Sequence, residues 1–297
     1  MPAIDFEKAL CQNLVHPALP PKSCEVSVLR LDLLHPIISG NKWFKLRFYL
    51  QEALRLQKKR VITFGGAWSN HLLATAAACQ TMGLRSAGLV RGERPNVMSH
   101  TLQQAVELGM ELFFLNREDY RQKKIPSPLL TDTDYLINEG GAGNLGVQGA
   151  ATLLEGVDKE RYSHIICAAG TGTTLAGIIN AAPKDTRVIG IAVLNDLDSI
   201  ENTVHNLVPH PCAPWQLLTG YAWGGYAKHP AALLSFMNTF YTQTSIPTDI
   251  VYTSKLFYAC IDLIENNFFS AGSRLLVVHS GGLQGNRSLP PGTFCFE

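Results

Sequence analysis

The chain has no apolar run near the roughly 20 residues that span a bilayer. Its opening, MPAIDFEKAL, carries Asp5 and Glu7 and has no apolar signal core. Neither sign of charge dominates: 25 basic against 24 acidic residues leave a net charge of +1. No long-range field therefore gathers nucleic acid or an anionic membrane. Seven cysteines lie scattered with no CxxC among them, and the odd count fits a reducing compartment better than a disulfide framework. HxxxH metal spacing, a Gly-Lys-Ser/Thr phosphate loop and a G-x-S-x-G elbow are all missing. Internal repeats and low-complexity linkers are missing too. These absences point to a cytoplasmic chain whose partner is a small molecule, with no nucleic acid and no membrane. What is present is core material. Of 297 residues, 46% are hydrophobic and only 16% charged, enough for one large or two ordinary domains.

Strand and helix patterns alternate. Val61–Phe64, 87–90 and 111–115 read as strands; 71–82 and 98–108 between them read as helices closed by Gly83 and Gly109. The polar, proline-bearing segment 117–128 marks a crossover or boundary. The pattern resumes with strands at 135–138, 164–168, 187–193 and 275–279 and helices at 175–181, 229–242 and 255–266. A Gly-rich loop is expected over 140–146. This order implies parallel sheets with helical crossovers, either two α/β sheets or one large one.

Glycine and hydroxyl residues collect just after strands, where ligand crevices of parallel sheets lie. The loops are 65–70, 169–174 and 280–285, with Thr253-Ser254 after the short run ending at Tyr252. In Gly170-Thr171-Gly172-Thr173-Thr174, loop amides and a helix start offer donors to an anion. Three hydroxyls suit a terminal phosphate. The same loop is an imperfect dinucleotide fingerprint, with Leu175 at the third glycine position and Asp196 placed for a ribose. A nicotinamide-dependent oxidoreductase thus competes on this loop alone. In SGNKWFKL (39–46), Ser39 or Asn41 is expected to cap a helix reaching about Gln57. Lys42 and Lys45 then share one face of its first turn, where the dipole favours anions. Either both are solvated or they meet an anion. A lysine so placed should have its ammonium disfavoured and make a better amine nucleophile. Ser69 and Asn70 follow a strand where a helix N-cap is wanted, and capping explains one of them; His71 is either a plain first-turn residue or converges with them on a substrate. The aromatic group Trp215, Tyr221, Trp223 and Tyr226 reads as packing or as a pocket wall.

Seven stretches occur in order along nearly the whole chain: GNKWFKL, TFGGAWSNH, EGGAGNLGVQG, AAGTGTTLAG, GGYAK, VYTSK and HSGGLQG. Together they resemble the 1-aminocyclopropane-1-carboxylate deaminase/D-cysteine desulfhydrase family of pyridoxal-phosphate (PLP) enzymes, of tryptophan-synthase-β-like fold (fold type II). The resemblance implies two α/β domains, residues 1–51 plus 141–297 and residues 52–140, with PLP in the cleft between them, and a homodimer. It implies Lys42 as the Schiff-base and proton-shuttling lysine and Lys45 as a phosphate contact. Asn70 would meet the phenolic oxygen, Gly170 to Thr174 the phosphate and Ser280 the pyridine nitrogen. Ser69, Asn70, His71, Tyr226 and Tyr252 would line the substrate, with Ser69, Tyr226 and Tyr252 assisting catalysis. Ring-opening members carry Glu and Leu where this chain has Thr253 and Ser280, so the resemblance favours the desulfhydrase branch. The implied reaction is α,β-elimination from a small D-amino acid such as D-cysteine. Ring-opening deamination and a PLP-binding sensor with little turnover are the alternatives.

Overall fold

A computed structural model describes residues 10–19, 24–195 and 197–296. Strands β1 (Leu10–Asn13) and β2 (Cys24–Arg30) come first, followed by helix α1 (Asn41–Arg55). The next unit is β3 (Arg60–Gly65), α2 (Asn70–Thr81), β4 (Arg85–Arg91), α3 (His100–Glu107), β5 (Met110–Leu115), α4 (Arg117–Arg121) and β6 (Asp134–Ile137). Then come α5 (Asn144–Ala151), β7 (His164–Ala169), α6 (Thr173–Ala181), β8 (Arg187–Ala192), α7 (Leu197–Leu207) and β9 (Trp215–Leu218). Helices α8 (Ala231–Thr244) and α9 (Thr253–Glu265) precede the last strand, β10 (Ser273–His279).

Two sheets result. One has the order β5-β4-β3-β6 and is wholly parallel. The other has the order β1-β2-β10-β7-β8-β9 and is parallel except for β1 against β2. Strand composition explains why both faces of the larger sheet are covered. Along β7, Ile165, Cys167 and Ala169 point into one apolar cluster with α5, α6 and α7. Ile166 and Ala168 point into the opposite cluster with α8 and α9. Period-two alternation with both sets apolar is the signature of a doubly covered parallel strand. In the smaller sheet, Val61 meets α1 and α2 while Ile62 and Phe64 face Tyr120 on the other side. Helix α2, Ala-rich and buried from His71 to Cys79, fills the space between.

Helix α1 packs on both sheets. Phe44 joins the large-sheet core, whereas Leu46, Tyr49, Leu50 and Ala53 join the small-sheet core. Its start departs from expectation. Neither Ser39 nor Asn41 caps it: Gly40, at φ 66°, is the N-cap, and its N–H donates to the Leu31 carbonyl at 2.9 Å. A Cβ on Gly40 would sit 1.8 Å from the Ser280 carbonyl oxygen. Backbone therefore touches backbone here, which only glycine allows.

Two other expectations are corrected. The Gly-rich stretch after β6 is not loop throughout, because α5 begins at Asn144. Its Gly146 and Gly149 must be glycine within that helix, because added Cβ atoms would strike the Gly141 and Phe44 carbonyls, each at 1.9 Å. The run ending at Tyr252 is a turn, not a strand, and Thr253-Ser254 open α9. The Asp249 carboxylate makes that turn by accepting the N–H groups of Val251, Tyr252 and Thr253 at 2.8, 3.0 and 2.7 Å.

Two glycine variants separate crowding from backbone conformation. Gly83 has φ 70° and nothing within 4 Å of an added Cβ. Gly83→Ala should cost about 1 kcal/mol for the left-handed conformation alone. Gly40→Ala should cost more than about 3 kcal/mol, because the Ser280 loop must also move. Urea unfolding midpoints of the two variants check this difference.

Candidate active site

The carboxyl ends of β7 and β10 and the start of α1 converge on one cleft. It is lined by Lys42, Lys45, Asn70, Tyr252 and Ser280 and by the Gly170–Thr171–Gly172 turn with Thr174. Gly172, at φ 78°, is the N-cap of α6, so first-turn amides and hydroxyls stand at the helix's positive end. Thr173 is fully buried beneath, with its Oγ1 3.4 Å from that of Thr171. Asn41 Nδ2 donates to Thr174 Oγ1 at 2.9 Å and ties the lysine helix to this turn. Tyr252 closes one side; a Cβ on Gly170 would lie 3.0 Å from its ring. Lys42 Nζ stands 5.9 Å from the centre of the same ring.

Ser69, His71 and Tyr226 stand apart from this lining. Ser69 is the cap of α2, its hydroxyl accepting the Leu72 N–H at 3.2 Å. Asn70, one residue on, donates to the Gly282 carbonyl at 3.2 Å. His71 is buried, with Nε2 2.9 Å from the Thr63 hydroxyl. That hydroxyl already donates to the Ile137 carbonyl at 2.8 Å, so it accepts from Nε2–H and leaves Nδ1 as a bare acceptor. Nδ1 has no partner. Tyr226 is 49% exposed. Of the other aromatics, Trp223 packs edge-on against Tyr258 and Trp215 against His205, which is packing rather than pocket wall.

Burial sets the electrostatics. It pulls the Lys42 ammonium down to about 8, opposed by the Asp249 charge. It pulls Lys45 well below the usual lysine range, helped by the charge of Lys42. The expected activation of Lys42 is thus present, but desolvation causes it. The His71 imidazolium is disfavoured by burial and by both lysines. Burial pushes the Asp249 carboxyl up, against the hydrogen bonds it accepts.

Asp249 was not singled out from the sequence. Its carboxylate takes a fourth hydrogen bond, from Thr253 Oγ1 at 2.8 Å, while that hydroxyl accepts the Asp249 N–H at 2.7 Å. Asp249 followed four residues later by Thr253 at the start of an apolar helical run is the readable trace of this turn. Lys255 is a second such residue. Fully buried, its Nζ donates to the carbonyls of Val193, Ala222 and Gly225 at 3.2, 2.8 and 2.7 Å, joining two loops. A buried lysine in an otherwise apolar helix gave no sign of those partners.

The model for "Pyridoxal-phosphate dependent enzyme" matches residues 16–281. The chain belongs to that family. The curated relatives include a putative 1-aminocyclopropane-1-carboxylate deaminase of Pyrococcus horikoshii, 28% identical over 88% of this chain and 85% of the relative. Another is the mitochondrial bifunctional D-cysteine desulfhydrase/1-aminocyclopropane-1-carboxylate deaminase of Arabidopsis thaliana, 27% identical over 96% and 80%. Among solved structures, an ACC deaminase homologue superposes with a TM-score of 0.82 at 26% identity, covering 95% of this chain and 91% of that one. The fold is therefore fold type II, as the sequence motifs imply, and the cofactor is PLP.

The cleft fits this PLP enzyme's cofactor. Two desolvated lysines face a turn built for a phosphate, and Asn70 Oδ1 is buried without a partner. The nicotinamide reading fails with family membership. Leu175 is fully buried, Gly190 of β8 making room for it, since a Cβ there would lie 2.6 Å from Leu175 Cδ2. The close helix–strand approach that a third fingerprint glycine provides is absent at that position. Asp196, the other support for that reading, lies outside the described residues. No described helix is long and apolar enough to cross a membrane.

The lysine shifts have a stability consequence in the cofactor-free protein. An unfolded Lys42 titrates near 10.5 and the folded one near 8. Between those values the unfolded chain binds more protons, so stability rises with pH across the window. Lys42→Met should stabilise the apoprotein at pH 7 by about 1–3 kcal/mol and flatten the rise between pH 8 and 10. Lys255→Met should do the opposite at pH 7, because it strands three carbonyls. Urea unfolding at pH 7 and pH 10 reads both.

Proposed function

We propose that this chain is a PLP-dependent lyase that removes the amino group of a small D-amino acid by α,β-elimination. D-cysteine is the preferred candidate, with net conversion of D-cysteine and water to pyruvate, ammonia and hydrogen sulfide. One observation carries the reading: a lysine amine brought to about 8 by burial, in one cleft with a Gly/Thr helix start that suits a phosphate. Bound PLP supplies an electron sink that stabilises negative charge at the substrate Cα. In this reading Lys42 anchors the cofactor and then takes and returns the Cα proton at Nζ. At pH 7 roughly a tenth of such amines are uncharged, a usable fraction for a base. Lys45 and Gly170 to Thr174 hold the phosphate, and Asn70 and Ser280 orient the ring. Tyr252 packs beside Lys42 and excludes water from that face, while Ser69, His71 and Tyr226 complete the substrate side. The two sheets act as the two domains, divided near residues 51 and 140, with the cofactor between them.

The desulfhydrase branch is favoured over ring opening by Thr253. It is fully buried and shares two hydrogen bonds with Asp249. A glutamate there, as ring-opening members carry, would set a second carboxylate against the first with no added cation.

The test is a visible spectrum with product assays. The wild-type protein with PLP should show a visible band that Lys42→Ala lacks or shifts. D-cysteine should then release pyruvate and sulfide, and Lys42→Ala should lose at least about 10³-fold in rate. Release of keto acid from 1-aminocyclopropane-1-carboxylate alone would move the reading to ring opening. A band with no turnover of either compound would favour the sensor. A protein that stays colourless with PLP would sink the proposal.

A further inference from the structure

Beside the cleft lies a second, larger cavity that the catalytic reading leaves unused. It has a volume of about 650 Å³ and is lined by Arg91, Arg117, Tyr120, Arg121, Lys123 and Glu139. Topology puts it at the substrate side. Arg91 ends β4, next to β3, whose own end carries the Ser69–Asn70 turn. Arg91 Nη2 lies 3.8 Å from where a Cβ on Gly66 would stand, so the guanidinium is beside that turn. Glu139 precedes Gly140, which lines the cofactor cleft itself.

The charges in this cavity do not balance. Glu139 is its only acid, and it is taken: it pairs with Lys123 and accepts the Tyr120 hydroxyl. Arg121 is paired to Glu118 at 2.8 Å. Among the described residues, the guanidiniums of Arg91 and Arg117 have neither an ion pair nor a hydrogen bond. The Arg91 guanidinium also lies 6.0 Å from the centre of the Tyr120 ring. Burial pushes the Tyr226 phenol up, and the nearby charges of Arg91 and Glu139 act on it in opposite directions. Two unpaired guanidiniums in a concave, solvent-open site form a receptor for an oxyanion, which they can grip in bidentate fashion.

We propose that Arg91, supported by Arg117, selects substrates whose side chain carries a fixed anionic group, a carboxylate or a phosphate, in addition to the α-carboxylate. This rests on the reading that the cleft binds a small amino acid. It refines that reading: a thiol side chain, mostly protonated at neutral pH, would be a weaker member of the series than an oxyanion.

Calorimetric titration of the PLP-loaded protein tests it, with both enantiomers of aspartate against asparagine and of O-phosphoserine against serine. The pairs have matched backbones and differ in side-chain charge. At least one anionic member should bind about tenfold or more tightly than its neutral counterpart. Arg91→Gln should bring that ratio to within about twofold and leave the neutral ligand's affinity unchanged. Arg117→Gln should give a smaller loss in the same direction. Arg91 is exposed and unpaired, so neither the fold nor the PLP band should change. Equal or tighter binding of both neutral members to the wild type would overturn the selection while leaving the lyase reading intact. So would a ratio that survives in the double variant. A protein that takes up no PLP and binds none of the amino acids would overturn both.

Discussion

The site depends on one backbone contact: the start of α1 pressed against the turn after β10. Gly40 touches the Ser280 carbonyl, and the Asn41 N–H donates to that oxygen at 3.1 Å. The contact fixes where α1 begins and hence which way Lys42 and Lys45 point. It is held from beneath by a buried polar chain. His279 Nε2 donates to the Pro247 carbonyl at 2.7 Å, and its Nδ1 accepts the Gly281 N–H at 3.2 Å. Asp32 lies 3.3 Å from the same imidazole and is gripped by Arg30 at 2.9 and 2.7 Å. Each polar member has a partner, which makes such a network rigid rather than costly. The turn that receives the lysine helix is therefore immobilised by residues that never reach the cleft.

A second consequence concerns buried charge. Two lysines in one helical turn, both desolvated, destabilise the cofactor-free fold, and Asp249 compensates in part. A dianionic phosphate is the counter-charge this arrangement lacks. Binding it would give the desolvated Lys45 ammonium the anion it lacks. Strain of this kind is acceptable where a ligand relieves it.

Strand and helix order was legible because period-two and period-3.6 patterns are local. The strands from 61 to 115 and from 164 to 193 fall within a residue or three of their expected bounds. The elements missed are those whose reason is distant. Strand β2 pairs with β10 over seven residues, but its sequence, CEVSVLR, mixes polar and apolar residues. β1 and β9 are four residues each. Helix α5 hides behind glycines that exist for contact with carbonyls of α1 and of the preceding turn. In the cleft, Lys42 and Gly170 drew attention by their place at a helix start and in a strand-to-helix loop, while the roles of Asn70 and Ser280 came from the family resemblance. Asp249 and Lys255 were not legible, since each works through backbone groups that sequence does not display.

The two sheets divide the labour. The large sheet supplies the phosphate turn, the Ser280 turn and the buried network, all rigid and mostly uncharged. The small sheet supplies the Asn70 turn, Arg91 and, after β6, Glu139 and Gly140. In the proposed function the first group, together with Asn70, handles the cofactor, and Arg91 and Glu139 face the substrate. Arg91, at the end of β4, stands beside Gly66 and the Tyr120 ring, neither of which lines the cofactor cleft. On the proposed reading, substrate charge preference is separable from cofactor binding. Relatives with the same motifs can share the cofactor chemistry and still differ in the amino acid they accept.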